Sequence, residues 1–294
     1  MFQFFIDGTA DAAPSWLAEN PDVTVIPTPV HFGATERLDL SPDEFYALQQ
    51  SNPTAPITTS NPTGEQVYHA LKAALEEGKD VAYLVMARSL SEASYLTAHN
   101  MIDILKAEYT NRHIFAVDTD CMSGGIALLL DRVKREAGPS IHSIIETVNR
   151  YRPKVSHLFS LTDLTQVSRS GRFNHLDRIK YGAAALVGIK VLMTFDYDED
   201  DHYGRKLMPF TSRLYRNEEK LFGAMTAEVA AIAAEKDGTF IVAHGNAPER
   251  AAIAERMLRA ELPDATILSG DWRIGPAVGA HVGPSCVSIY SLRR

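Results

Sequence analysis

Short apolar runs alternate along this chain with longer stretches in which apolar residues recur at helical spacing. Phe2-Gln3-Phe4-Phe5-Ile6, Val23 to Ile26, Val81 to Met86 and His113 to Val117 read as strands, several of them apolar enough to be buried on both faces. Between them, Gly64 to Glu77, Ser91 to Tyr109 and Gly124 to Glu136 read as helices. Ser41-Pro42-Asp43-Glu44 opens another helix: a capping serine, a proline suited to the first helical position, an acidic residue at the third, then apolar Phe45 and Leu48. Repeated strand and helix units predict a largely parallel sheet.

Pro139-Ser140 separates two helices, and Arg152-Pro153-Lys154 ends the second before Val155 to Leu161 turns to strand-like composition. The expected organisation is therefore an N-terminal α/β domain over residues 1–155 and a C-terminal α/β domain over residues 156–294. The second half contains the apolar runs Ala183 to Val187 and Ile189 to Phe195, and a long helix around Asn217 to Glu235. A strand at Thr239 to Ala243, a helix around Pro248 to Ala260, and strands near Ile267 and Val287 complete it. The acidic segment Asp196 to Asp201 lacks the glycine and terminal glutamate of a calcium loop and reads as a hairpin tip.

Composition narrows the function classes. The chain has 294 residues, 45% of them hydrophobic, enough to bury extensive cores. A formal charge of -8 argues against a general nucleic-acid surface. Its two cysteines, Cys121 and Cys286, have neither metal-ligand spacing nor a disulfide-rich setting and read as core residues of a reducing compartment. With no signal-like start and no long uninterrupted apolar run, a cytoplasmic protein without integral membrane association is expected.

The polar residues at expected strand ends carry the candidate chemistry. Asp7-Gly8-Thr9 follows the first strand, but too few glycines follow for a dinucleotide loop and no phosphate-loop lysine is present, so Asp7 reads as a fastener of backbone N–H groups. Asp118-Thr119-Asp120 reads as an Asx-capped turn into the next helix. In Thr58-Thr59-Ser60-Asn61-Pro62-Thr63-Gly64, Ser60 or Thr63 can cap the following helix, and the same hydroxyls can join its free N–H groups around an oxyanion. Ser91 can cap the helix after Met86, with Ser94 in its first turn, or give its hydroxyl to a carboxylate. Ser168-Arg169-Ser170-Gly171-Arg172 offers guanidinium groups for an anion or for domain contacts. His281, among the glycines and prolines of Gly275 to Ser285, is expected in a shaped loop. No G-x-S-x-G element supports a hydrolase.

Taken together, Asp7-Gly8-Thr9-Ala10-Asp11, Thr59-Ser60-Asn61-Pro62-Thr63, Leu90-Ser91, Ser170-Gly171-Arg172-Phe173, Gly188-Ile189-Lys190-Val191-Leu192 and His281-Val282-Gly283-Pro284 resemble the DegV family of fatty-acid-binding proteins. The motifs occur in family order across nearly the whole chain. The resemblance implies a two-domain DegV-like α/β fold with a ligand tunnel between the domains, and a long-chain fatty acid as noncovalent ligand without any cofactor or metal. Thr59, Ser91 and His281 match the family's T-S-Q-P-S, L-S-G and H-x-G-P-G segments and become, with Ser60, the expected headgroup ligands. Arg172 matches the arginine of G-R-I-S and is expected at a partner or headgroup contact. The resemblance further implies a carrier that is not itself an enzyme and that presents the acid to the ATP-using subunit of fatty-acid kinase.

The chain departs from the family pattern at several positions. Glu92 stands where L-S-G has glycine, Ala87-Arg88 replaces a hydroxyl-rich pair, Asn61 replaces glutamine and Ser285 replaces the last glycine of H-x-G-P-G. An acidic group beside a bound carboxylate costs affinity unless it points away or meets Arg88. Two other readings make different predictions. A stand-alone serine hydrolase of acyl esters requires a close Ser91 and His281 pair, and a regulatory interaction protein that kept the fold without the ligand requires a tunnel closed by side chains.

Overall fold

The computed structural model of the chain describes residues 1–169, 182–184, 186–198, 206–233 and 238–292. Its first sheet has the order β2-β1-β6-β7, formed by β1 (Phe2–Asp7), β2 (Val23–Ile26), β6 (Asp80–Val85) and β7 (Ile114–Asp118), with all pairings parallel. The side chains of β1 alternate. Phe5 packs into one core with Val67, Leu71 and Tyr83, while Phe4 and Ile6 pack into another with Ala82 and Leu84. Both faces are covered, which is why these strands are continuously apolar rather than alternating with polar residues.

On the first face lie α3 (Gly64–Glu76) and α4 (Glu92–Glu108), after α1 (Pro14–Glu19) and α2 (Pro42–Ser51) earlier in the chain. Ser41 and Glu44 form a capping box at α2, and Thr63 with Gln66 forms one at α3. Of the two hydroxyls that could cap α3, Thr63 does so, which leaves Ser60 for other partners. A small antiparallel sheet in the order β4-β3-β5 comes from β3 (Val30–Phe32), β4 (Thr35–Arg37) and β5 (Ile57–Thr59).

After α5 (Gly124–Glu136) and α6 (Ile141–Tyr151), the chain enters a six-stranded sheet in the order β10-β9-β8-β13-β11-β12, with the short helix α7 (Thr165–Arg169) following its first strand. Its strands are β8 (Val155–Leu161), β9 (Lys190–Asp198), β10 (Lys206–Tyr215), β11 (Thr239–His244), β12 (Thr266–Ile267) and β13 (Val287–Leu292). Only the β11 to β12 pairing is parallel. Leu158, Leu192 and Ile289 turn toward α8 (Glu218–Ile232) and α9 (Pro248–Glu261), whereas Phe159, Met193 and Tyr290 face the core shared with the first sheet. The expected hairpin around the acidic run is present as β9 and β10, with Asp196 to Asp198 ending β9. Glu199 to Asp201 lie outside the described residues, as do Ser170 to Phe173, including Arg172. The described residues from 182 to 186 are helical rather than extended, and the turn closes at Gly188 with φ 68°. Leu186 and Val187 are exposed there, so their apolar character does not mark a buried strand.

Helix α5 precedes residue 155 but packs on β8, β11 and β13 of the six-stranded sheet. Its glycines permit the approach. A Cβ on Gly125 would fall against His157 Nε2, and one on Gly124 would lie 2.8 Å from the Tyr290 ring. Both neighbours are buried and cannot swing into solvent. Gly125→Ala is therefore expected to destabilise the protein by about 1–3 kcal/mol through overpacking. Urea unfolding measures this directly; an unchanged midpoint would show that α5 can draw back from the sheet at no cost.

Candidate functional site

The polar residues at the C-terminal edge of the parallel sheet are held from below by carboxylates. Asp7, the last residue of β1, accepts from Thr9 N at 3.1 Å and from the Thr9 hydroxyl with its Oδ1, and from Met86 N at 3.0 Å with its Oδ2. Burial pushes its carboxyl pKa up against the opposing pull of these hydrogen bonds. Asp7 is thus the fastener its position suggested, joining the ends of β1 and β6. At Asp118, Oδ1 accepts from Asp120 N at 2.8 Å and from Arg88 N at 3.2 Å, forming the expected Asx turn.

Asp11 ties the two halves of the chain together. Its Oδ1 accepts from Gly275 N at 2.8 Å, and the Ser123 hydroxyl donates to Oδ2. Gly275 is the N-cap of α10 (Pro276–Val282), the short helix that carries His281 in its last turn. Tyr46 Oη donates to the Ile274 carbonyl at 2.9 Å, and Arg273 Nη1 meets Asp43 Oδ1 at 3.0 Å. His281 therefore sits on a helix clamped from the other half of the chain, not in the loop expected from its glycine and proline neighbours. Those neighbours instead bound the helix: Gly275-Pro276 begins it, and Gly283 with φ 80° ends it.

A cavity opens between the two sheets. Its empty space, including the open solvent at its mouth, is about 950 Å³. Phe159, Leu161, Met193 and Phe195 from the six-stranded sheet supply an apolar wall, continued by Val278 of α10 and by Met122. Thr59, Ser60, Ser91 and His281 supply polar groups to the same cavity. All of the expected headgroup ligands within the described residues thus come together.

Their hydrogen bonds define the polar end. Thr59 closes β5 opposite Val30, and its Oγ1 lies 3.2 Å from His281 Nε2. Ser60 follows at the mouth, with Oγ 3.0 Å from His31 Nε2. Ser91 is the N-cap of α4: its Oγ accepts from Ser94 N at 3.4 Å and lies 2.9 Å from Ser94 Oγ. The capping bond is long, so the hydroxyl is weakly committed to the helix and faces the cavity as well. Ser91 thus caps α4 and at the same time lines the cavity.

Glu92 does not line the cavity; Arg88 Nη2 donates to its Oε1 at 2.8 Å in an i,i+4 pair on the exposed surface. The hydrogen bond with Glu92 raises the Arg88 pKa, and the guanidinium also sits 4.8 Å from the centre of the Tyr95 ring. The family departure most threatening to an anionic ligand is thereby turned away from the site. Asn61, another departure, uses its Nδ2 to reach Thr97 Oγ1 at 3.2 Å and the Pro62 carbonyl at 3.0 Å. Ser285 Oγ accepts from Asp163 N at 2.9 Å and ties the segment after α10 to the end of β8.

Thr9, Thr28 and Ser94 also line the cavity. Of these, Thr28 had no motif to reveal it. Its buried Oγ1 has no hydrogen-bond partner among the described residues, and Ser60 N donates to the carbonyl of the adjacent Pro29 at 3.2 Å. Only the Pro27-Thr28-Pro29 sequence, which forces an extended backbone, hinted at a special segment. Among the described residues, no group of three or more His, Cys, Asp or Glu side chains could hold a metal ion, and no helix is long and apolar enough to cross a membrane.

Residues 1–294 match the family described as uncharacterised proteins of the DegV family. The chain belongs to the DegV family. A DegV domain-containing protein of Deinococcus radiodurans is 26% identical over 296 residues, covering 96% of this chain and 95% of its own length. One from Clostridium perfringens is 24% identical over 298 residues, covering 99% and 97%. The crystal structure of a stearic acid-binding protein from Eubacterium ventriosum superposes with a TM-score of 0.81 at 20% identity, covering 100% of this chain and 98% of that one. A DegV family protein from Eubacterium eligens loaded with heptadecanoic acid gives a TM-score of 0.80 at 14% identity, with both chains covered completely. The α/β fold of these DegV structures is thus shared across the full chain.

Proposed function

We propose that this DegV-family chain binds a long-chain fatty acid noncovalently, with its tail in the cavity between the sheets and its carboxylate at Thr59, Ser60, Ser91 and His281. The observation that carries this reading is the division of one cavity between an apolar wall, led by Phe159, Leu161, Met193 and Phe195, and a group of hydroxyls with one imidazole. A carboxylate offers strong acceptors to such donors. Each methylene taken from water contributes about 0.8 kcal/mol before ordering costs, so the tail sets affinity while the polar end sets orientation. Solved relatives described as bound to stearic and heptadecanoic acids support the same ligand class.

The proposed role is that of a cytoplasmic carrier, residues 1–155 and 156–294 forming its two domains, with the acid presented to a separate ATP-using kinase subunit and Arg172 at the partner contact. Two features weigh against the competing readings. The Ser91 hydroxyl pairs with Ser94 and the His281 imidazole with Thr59, unlike a nucleophile and its base. Among the described residues, side chains also leave the cavity open, whereas a ligand-free interaction protein would require it filled.

Native mass spectrometry after gentle purification, followed by lipid extraction and calorimetric titration, is expected to show one fatty acid per chain without turnover of acyl esters. A folded protein that neither copurifies with nor takes up a fatty acid would overturn the reading. Kinase coupling has its own readout: acyl-phosphate formation by the host's ATP-using subunit should depend on this chain, and absence of stimulation would reject that role alone.

A further inference from the structure

Ser60 follows the last residue of β5 at the cavity mouth, beside a second histidine that none of the motifs includes. His31 lies on β3, and its Nε2 is 3.0 Å from Ser60 Oγ. The same nitrogen lies 3.8 Å from Glu36 Oε2 on the neighbouring strand β4. A hydroxyl can donate one hydrogen and accept others, whereas a neutral imidazole nitrogen either donates or accepts. Which of the two groups donates decides what Ser60 can offer the cavity. If Nε2 accepted, the Ser60 hydrogen would be spent on His31 and its oxygen would turn lone pairs toward an incoming carboxylate.

The carboxylate of Glu36 decides between these arrangements. A bare ring nitrogen facing Glu36 would set two acceptors against each other, whereas an Nε2–H is attracted to both Glu36 and Ser60 Oγ. We propose that His31 is a positioning residue for the headgroup: held in its Nε2–H form by Glu36, it donates to Ser60 Oγ and leaves the Ser60 hydrogen for the ligand carboxylate. This rests on the fatty-acid reading above and deepens it. His31 then acts on the ligand only through Ser60. It does for Ser60 what a ring donor on His281 would do for Thr59, on a strand where no family motif places a histidine.

A double-mutant cycle with palmitate as the probe tests the assignment by calorimetric titration. His31→Ala is expected to weaken palmitate binding about three- to tenfold, the scale of one partly exposed hydrogen bond. Ser60→Ala should cost a similar factor, and adding His31→Ala to it should cost nothing more. His31→Gln, which restores an N–H donor, should recover most of the loss. Hexadecanol, which has the same tail and no carboxylate, should be indifferent to His31. If His31→Ala lowers the melting midpoint, His31→Phe keeps a ring on β3 without either nitrogen and serves in its place. Multiplying losses in the double variant, undiminished affinity without His31, or no recovery with glutamine would each overturn the positioning role while wild-type palmitate binding stood. Failure of the wild-type protein to bind palmitate would instead remove the fatty-acid reading, and this role with it.

Discussion

Replacing Thr59 by valine or Ser91 by alanine is expected to weaken fatty-acid binding by up to about two orders of magnitude while leaving the protein folded. Loss of one buried donor to an anionic headgroup costs roughly 1–3 kcal/mol, and about 1.4 kcal/mol corresponds to each factor of ten. Thr59→Val keeps the branched shape that suits the end of β5 and removes only the hydroxyl that lies 3.2 Å from His281 Nε2. Ser91→Ala also removes the cap of α4, worth about 0.5–2 kcal/mol at an ordinary cap, but the 3.4 Å bond from Ser94 N places it at the weak end of that range. His281→Ala should weaken binding as well. Titration of the folded variants, alongside their melting midpoints, separates the headgroup role from the structural one. Unchanged affinity in all three would remove this polar end as the headgroup site, even if the tail cavity still bound lipid.

The second large effect concerns pH and stability. Burial raises the Asp11 carboxyl from its ordinary value of 3.8 to about 7, the largest cause being desolvation, with the hydrogen bonds from Ser123 and Gly275 opposing it and the charge of Asp7 adding to it. Between pH 4 and 7 the native protein retains the Asp11 proton while the unfolded chain has lost it. Folding is therefore most favoured below this window, and raising the pH through it removes stability, by about 4 kcal/mol for this group taken alone. Asp11→Asn keeps the shape and a carbonyl oxygen for Gly275 N, and its amide can donate to the Ser123 hydroxyl. The wild-type stability measured by urea unfolding should thus fall relative to Asp11→Asn as the pH rises from 4 to 7, and the two should run parallel above about 8. Parallel curves across the whole range would show that Asp11 keeps an ordinary carboxyl in the folded protein. Because Asp11 holds Gly275 at the head of the helix that carries His281, the same titration should loosen the polar end of the cavity before the sheets themselves give way.

Much of the framework follows from patterns within single segments. The apolar runs at β1, β6 and β7 are strands because residues buried on both faces need no alternation. The helices begin where capping groups stand, at Ser41, Thr63, Ser91 and Ser140. The DegV motifs identified Thr59, Ser60, Ser91 and His281 as a set, and all four line one cavity. Less legible were the short strands β3, β4 and β5, whose three residues each carry too little periodicity to register. Polar Thr35-Glu36-Arg37 forms a strand because its backbone groups pair with β3, not because its side chains seek burial.

By itself the sequence determined the elements, their caps, the hydroxyl-rich turns and the family, because each of these depends on residues within a few positions of one another or on short motifs kept in order. Tertiary structure alone decided that Asp11 meets Gly275 264 positions away, and that Thr59 meets His281 across 222. It also selected Phe159, Leu161, Met193 and Phe195 from the apolar strands as the part of the core that walls a cavity. It turned Glu92 onto Arg88, set His31 beside Ser60, and placed α5 against a sheet that begins after it in the chain. Local preference says which backbone conformation a residue favours and which of its faces must be hidden. Which distant surface hides that face is settled only when the whole chain closes, because burial is non-directional and the polar contacts that select one partner form between groups far apart in sequence.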